Sequence, residues 1–204
     1  MSTVAARIYA ELRGDKAIWA IIALLAIFSL LAVYSSTGTL AYKYRAGNTE
    51  YYLMKQVLII GGGSGVAPFL LLGKKLKELG TKMTFLIGGR SAKDILLTDR
   101  LAAYGDVLIT TEDGSKGETG MVTDHSIIGG RLNDFDKIYT CGPDAMMKAI
   151  AKLARDNKID CEASLENMMA CGFGACLCCV VDTTQGNLCV CTEGPVFNIL
   201  DLAW

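Results

Sequence analysis

Residues 57–68 read VLIIGGGSGVAP, a short apolar run broken by a glycine turn that ends on Pro68. Val57–Ile60 has the length and branching of a buried strand. The stretch after the turn has the period of a helix: Phe69, Leu72, Leu76 and Leu79 fall on one stripe, Lys74, Lys75, Lys77 and Glu78 fall off it, and Gly80 stands at the stop. A glycine turn between a buried strand and a helix suits a phosphate. The missing side chains let the backbone approach, and the N–H groups and helix dipole favour an anion. The turn is not a regular G-x-G-x-x-G, because Pro68 stands where the third glycine would be. Outward from it, strands are expected near Met83–Ile87, Val107–Thr110 and Lys137–Thr140, with helices near Ile95–Tyr104 and Met121–Ile128. A last helix, opened by Pro143, carries Met146, Ala149, Ile150 and Leu153 on one face. This alternation predicts an α/β fold, a parallel sheet covered on both sides. Gly89-Arg90-Ser91 and Cys141-Gly142-Pro143 come directly after two of the strands, at the carboxyl edge where open sheets place their ligands.

From about Asp160 the rhythm stops. A strand (Cys161–Leu165), a cysteine-glycine loop, a hairpin around Thr184-Gln185-Gly186-Asn187 and a tail to Trp204 are expected. Seven of the eight cysteines fall after Asp160, a clustering that suggests a metal site in a reducing compartment and not a disulfide framework. Cys171, Cys176 and Cys179, then eleven residues to Cys191, give C-x4-C-x2-C…C, the plant-type [2Fe–2S] spacing. Gly172, Gly174 and Ala175 let the loop wrap a compact cluster. Zinc is the rival, although its sites more often use paired C-x2-C hooks and only one is present. Cys176 and Cys179 are expected to share an iron, with Cys178 pointing away. Cys189 and Cys191 are expected on one face of a strand, which makes Cys189 a substitute for Cys191.

Ahead of the strand–turn motif, Ala17–Tyr34 is apolar at every position except Ser29. Eighteen helical residues span about 27 Å, close to the hydrocarbon thickness of a bilayer, so a membrane helix is expected here. A buried core helix and a signal peptide cleaved after Ser35 are the alternatives. The whole chain of 204 residues has a net charge of −1, which leaves no basic field for nucleic acid. The expected organisation is a membrane-type segment over residues 1–56, a nucleotide-binding domain over 57–158 and a cluster domain over 159–204. His125, the sole histidine, reads as an exposed or capping residue.

The strings GGGSGVAP, GGRS, EDGSKGETGMVTD and YTCGPDAMM resemble, in order and spacing, the nucleotide-binding half of the ferredoxin-reductase superfamily. The resemblance implies that Gly61, Gly62, Gly63, Gly65 and Pro68 face the nicotinamide and pyrophosphate. It also implies that Arg90 and Ser91 meet the adenosine side, that Asp113 and Gly114 line the same groove, and that Cys141, with Gly142 and Pro143, lies beside the nicotinamide. The plainer reading of Cys141 is a buried packing residue.

MACGFGACLCC together with CTEGPVF resembles the cluster domain of the electron-transfer subunit of type B dihydroorotate dehydrogenase, and the likeness covers about Val57–Trp204. It implies Cys171, Cys176, Cys179 and Cys191 as cluster ligands, with Cys178 and Cys189 as extra thiols and Cys161 as packing. It further implies NAD(H), a [2Fe–2S] cluster, FAD, an FMN-containing catalytic subunit as partner, pyrimidine biosynthesis and a cytoplasmic site of action. In that family a flavin-binding β-barrel precedes the nucleotide domain, and residues 1–56 leave no room for one. Residues 13–56 instead resemble the first membrane segment of FtsW/RodA-type cell-wall polymerases. Two other readings stand beside the main one: an inert membrane-anchored hybrid, or the small subunit of a ferredoxin–NADP reductase or sulfide dehydrogenase complex.

Overall fold

Strand β1 (Gln56–Gly62) is buried from Val57 to Gly62, and both of its faces carry branched side chains. Val57 and Ile59 enter one core with Phe69, Leu76, Phe85 and Ile87, while Leu58 and Ile60 enter a second with Ile128, Ile138, Met147 and Ile150. A strand apolar on both faces belongs at the centre of a parallel sheet. In the computed structural model, which describes residues 56–204 together with Ile21, Leu24 and Leu25, that is where it lies.

β1 pairs in parallel with β2 (Lys82–Gly89) on one side and β5 (Lys137–Cys141) on the other. Helix α1 (Phe69–Glu78) returns the chain from β1 to β2. β3 (Asp106–Thr111) and the two-residue β4 (Glu118–Thr119) extend the β2 side, and the chain then crosses to β5. The β5 side is extended by β6 (Asp160–Ser164) and β9 (Val196–Asn198). The order β4-β3-β2-β1-β5-β6-β9 therefore reverses direction between β1 and β5, which opens a crevice at their carboxyl ends.

Two expected helices are shorter than the pattern predicts. Near 95–104 there is a single 3-10 turn (Ala92–Asp94) and one helical turn, α2 (Thr98–Leu101). Ser91 and Asp94 close a capping box on the first, and Leu97, at φ 62°, breaks the path between them. Near 121–128 a 3-10 turn (Val122–Asp124) precedes α3 (Ser126–Arg131), with extended His125 between them. His125 caps α3, as expected, through Nδ1, which accepts the Ile127 N–H at 3.1 Å. It is not exposed, however. It is 5% accessible, and with Nε2 3.5 Å from Glu118 both ring nitrogens have partners, so the ring tolerates burial. Helix α4 (Asp144–Asp156) opens after Pro143 but buries Met147, Ile150, Ala151 and Ala154. The stripe is rotated from the expected one, with Met146 and Leu153 only partly buried and Met146 lying beside Gly62 and Gly142.

The tail is not separate from the sheet. β6 pairs in parallel with β5, and β9 pairs antiparallel with β6. The sheet is thus continuous across the boundary expected at 158–159. Between β6 and β9 lie the cysteine loop, the hairpin of β7 (Val180–Thr183) and β8 (Gly186–Cys189), and the single turn α5 (Val190–Glu193).

Far from the crevice, Lys137 on β5 is almost fully buried and contacts Asp160 at 3.0 Å and Glu162 at 2.7 Å. Burial works against its charge, but Tyr139, Glu162 and Asp160 outweigh it and hold the ammonium above the usual lysine range. Lys137→Met is expected to cost about 3 kcal/mol at pH 7, because it leaves Glu162 half-buried without its cation. A group with a raised folded pKa stabilises fully below its unfolded value of about 10.4 and loses that contribution as pH rises further. Urea unfolding should therefore show a mutant–wild-type gap that is constant from pH 6 to 9.

The chain divides into two units, residues 1–48 and 49–204. Ile21, Leu24 and Leu25 are helical and exposed; the rest of the apolar segment expected at 17–34, and the FtsW/RodA likeness over 13–56, lie outside the described residues. Among the described residues no helix is long and apolar enough to cross a membrane.

Candidate functional site

The crevice between β1 and β5 is built by two turns that interlock through missing side chains. Gly62 is extended, residues Gly63–Val66 form a 3-10 turn, and Pro68 stands at the N-cap of α1. A Cβ on Gly65 would lie 2.5 Å from the Cys141 carbonyl carbon and oxygen. Gly142, at φ 147°, packs against the Gly62 backbone, where a Cβ would sit 2.9 Å from the Gly62 oxygen. Gly63, at φ 57°, faces open space. The two turns together present backbone, with few side chains, to whatever enters from the carboxyl edge.

Cys141 ends β5 beneath this opening and is 1% exposed. Its thiol points at Glu166 Oε1, 3.9 Å away, and Ser64 of the glycine turn donates to Glu166 Oε2 at 3.4 Å. Burial, and then the Glu166 charge, push the Cys141 thiol above its ordinary range. It is a protonated thiol at neutral pH and not a nucleophilic thiolate. Glu166 is not among the residues that the sequence singles out. The signal that could have found it is a lone acid just past the carboxyl end of β6, five residues before the first loop cysteine.

The loops after β2 and β3 meet beside the same edge. The Glu112 and Asp113 N–H groups donate to the Gly89 and Arg90 carbonyls at 3.1 Å each, and the Ala92 N–H donates to Ser115 Oγ at 2.7 Å. Arg90–Ser91 and Asp113–Gly114 are thereby brought together. The Arg90 side chain is exposed, while the Ser91 hydroxyl already donates to Asp94. Asp113 is held below the usual carboxylate range by the Ser115 hydroxyl and N–H.

The cysteine loop is shaped by Gly172 and Gly174, at φ 76° and 83°. The Cys176 N–H donates to Cys171 Sγ and the Cys191 N–H to Cys179 Sγ, each at 3.4 Å. With the Phe173 and Cys176 N–H groups aimed at it, the Cys171 thiol falls to about 6, and Cys179 is lowered in the same way, chiefly by the Cys191 N–H. These favour thiolates at Cys171 and Cys179, whereas the Cys179 side chain, more than burial, pushes the Cys191 thiol up.

The N–H contacts link Cys176 to the Cys171 sulfur, Cys178 to the Cys176 sulfur and Cys191 to the Cys179 sulfur. The loop folds Cys176 back onto Cys171, while Cys179 starts the hairpin and faces its return. Cys189 and Cys191 do not share a strand face. β8 ends at Cys189, whose N–H donates to Glu193 at 2.9 Å, and Cys191 lies in α5. Cys178 is exposed, as expected of an extra thiol, and Cys161 is buried in the core. Among the described residues no three metal-binding side chains converge on one point. The C-x4-C-x2-C…C spacing, with backbone N–H groups directed at Cys171, Cys176 and Cys179, fits a two-iron cluster better than one tetrahedral zinc. Around the loop no charge occurs from Asn167 to Val181, and Met168, Phe173 and Leu177 are exposed.

A cleft of about 620 Å³ runs from Gly142 and Pro143 past Glu166 and Asn167 to Val180 and Trp204. The turn after β5 and the hairpin that carries the loop thus border one hollow.

Residues 59–152 match the oxidoreductase NAD-binding domain, and residues 166–203 match the iron-sulfur cluster binding domain of dihydroorotate dehydrogenase B. The chain is similar to the electron transfer subunit of dihydroorotate dehydrogenase B (NAD(+)) from Listeria monocytogenes serovar 1/2a, 45% identical over 71% of this chain and 56% of that one. Its counterpart from Caldanaerobacter subterraneus subsp. tengcongensis is 39% identical over 70% and 57%. The chain spans a little over half the length of these curated relatives. Among solved structures, the NADH-dependent reduced ferredoxin-NADP oxidoreductase of flavin-based electron bifurcation superimposes with a TM-score of 0.66, 32% identity, 73% of this chain and 54% of that one.

Proposed function

We propose that residues 56–204, an NAD-binding domain followed by a dihydroorotate dehydrogenase B type cluster domain, act as the nucleotide- and cluster-carrying part of an electron-transfer subunit. In this reading electrons pass between a dehydrogenase partner's flavin and NAD by way of a [2Fe–2S] cluster, in the synthesis of orotate. The observation that carries it is spatial: Gly142 and Pro143 after β5, Glu166, and Val180–Asp182 of the hairpin border one cleft, and Glu166 also contacts Ser64 and Cys141 at the switch point between β1 and β5.

The residue roles in this reading follow the crevice and the cysteine loop. Gly61, Gly62, Gly63, Gly65 and Pro68 offer backbone to the pyrophosphate, and Arg90 contacts a ribose or phosphate with Ser91, Asp113 and Gly114 alongside. Cys141, with Gly142 and Pro143, packs against the nicotinamide as a neutral thiol. Cys171, Cys176, Cys179 and Cys191 hold the cluster. A bound cluster supplies one-electron relay, NAD exchanges a hydride, and FAD is the group that splits the pair between them. The apolar, uncharged surround of the loop suits lasting contact with an FMN-containing catalytic subunit. NAD is preferred over NADP. The membrane segment at 17–34 remains a separate proposal, tested by whether the full chain partitions with membranes and stays there in high salt.

The likeness to the ferredoxin-NADP oxidoreductase structure favours a second reading, a small subunit of that kind of complex. One titration tests both. The cluster's visible absorption should bleach under anaerobic NADH once FAD is added. Failure with NADH and FAD, when dithionite bleaches it, would exclude the main reading. Bleaching by NADPH at tenfold lower concentration (~1.4 kcal/mol) would favour the second.

A further inference from the structure

Three segments distant in sequence meet at one carboxylate. Glu166 receives the Ser64 hydroxyl from the turn after β1 and the Cys141 thiol from the end of β5, and it belongs itself to the segment leading from β6 into the cysteine loop. Neither contact brings a positive charge. The nearest basic side chain lining the cleft, Lys148, is paired with Asp144 at 2.8 Å, and Lys137 is paired with Asp160 and Glu162 away from the crevice. Among the described residues Glu166 has no ion pair. It is open to solvent, and its protein contacts are only a hydroxyl and a thiol, at the corner assigned to the nicotinamide under the proposed function.

We infer that Glu166 is a specificity-determining residue that reads the oxidation state of the nicotinamide, favouring NAD⁺ over NADH. The inference rests on the nucleotide reading of the crevice. An oxidised nicotinamide ring carries a full positive charge and a reduced one carries none, while the rest of the dinucleotide is identical. A carboxylate without a cation of its own attracts the first and is indifferent to the second. Ser64 holds that carboxylate toward the crevice, so a bound oxidised ring gains an anion already aimed at it. The consequence for turnover is directional: a chain that binds NAD⁺ more tightly than NADH takes up the acceptor and releases the reduced product.

The test is calorimetric titration of the full chain with NAD⁺, NADH and ADP-ribose, the last being a probe without the nicotinamide. Glu166→Gln keeps the shape and removes the charge at an exposed position, so the fold should persist. The Kd for NAD⁺ should rise about tenfold, with NADH and ADP-ribose unchanged within about twofold. Ser64→Ala should shift the NAD⁺ to NADH ratio in the same sense by a smaller factor. A merely structural Glu166 would weaken all three ligands together, and that result overturns the inference. An unchanged ratio, with wild-type chain binding ADP-ribose normally, overturns it while sparing the nucleotide reading. A wild-type chain that binds none of the three sinks both.

Discussion

Gly65→Ala is expected to destabilise residues 56–204 by about 3 kcal/mol and to abolish nucleotide binding. The added methyl would lie 2.5 Å from the carbonyl of Cys141 and 2.6 Å from the Gly142 nitrogen, and all of these are backbone atoms of a central strand and its turn. Side chains can rotate out of such a contact, but β5 cannot, because it is bonded to β1 on one side and β6 on the other. Relief has to come from separating the two turns that form the crevice, which is why folding and binding fall together. Gly63→Ala is the control. Its Cβ would meet nothing within 4 Å, so only the left-handed φ of 57° opposes it, at about 1–2 kcal/mol. Denaturant unfolding of the two variants should separate by more than their error, with the larger loss at Gly65. Equal losses would mean that the two turns do not interlock.

Single Cys→Ser substitutions in the loop are expected to sort into two sharply different groups. Ser at 171, 176, 179 or 191 should reduce bound iron to near zero, since each removes one of the four proposed thiolate ligands. Cys178→Ser and Cys189→Ser should retain it. Cys178 is exposed and gives its N–H to Cys176 Sγ at 3.4 Å, a backbone contact that serine preserves. Cys189 ends β8 with its N–H on Glu193, whereas Cys191 lies within α5. Cys189 and Cys191 therefore leave different elements, although the Cys189 thiol, raised first by desolvation, lies close enough to Cys179, Cys171 and Cys176 for their charges to raise it further. Loss of iron in Cys189→Ser with retention in Cys191→Ser would show that the fourth ligand is misassigned.

The central part of the fold is legible in the sequence because strand and turn chemistry there are local. Val57–Ile60, the glycine turn and Cys141-Gly142-Pro143 each declare themselves within a dozen residues, and the parallel order comes from their alternation with helices. The short helices near 92–101 and 122–131 are overdrawn by apolar periodicity, which does not see a Ser91–Asp94 capping box or a left-handed Leu97. Burial of His125 depends on Glu118 arriving on β4, which no helical pattern around the histidine reports. The proposed cluster ligands come from spacing, which does not report how the loop cysteines contact one another. Spacing gives distance along the chain, whereas the contact of the Cys191 N–H with the Cys179 sulfur arises where the hairpin returns. Glu166 is least visible of all, since its two partners are 102 and 25 residues away and only the closed sheet brings them together.

The central claim is that a nucleotide crevice and a two-iron cluster share one chain, and the cluster half can be weighed directly. The full chain should be purified without oxygen, assayed for iron, acid-labile sulfide and zinc, and examined by EPR after reduction with dithionite. The account predicts a red-brown protein with about two irons and two sulfides per chain, and a signal from one unpaired electron on one-electron reduction. A colourless protein that holds one zinc on the same cysteines, with no EPR signal after reduction, would contradict it.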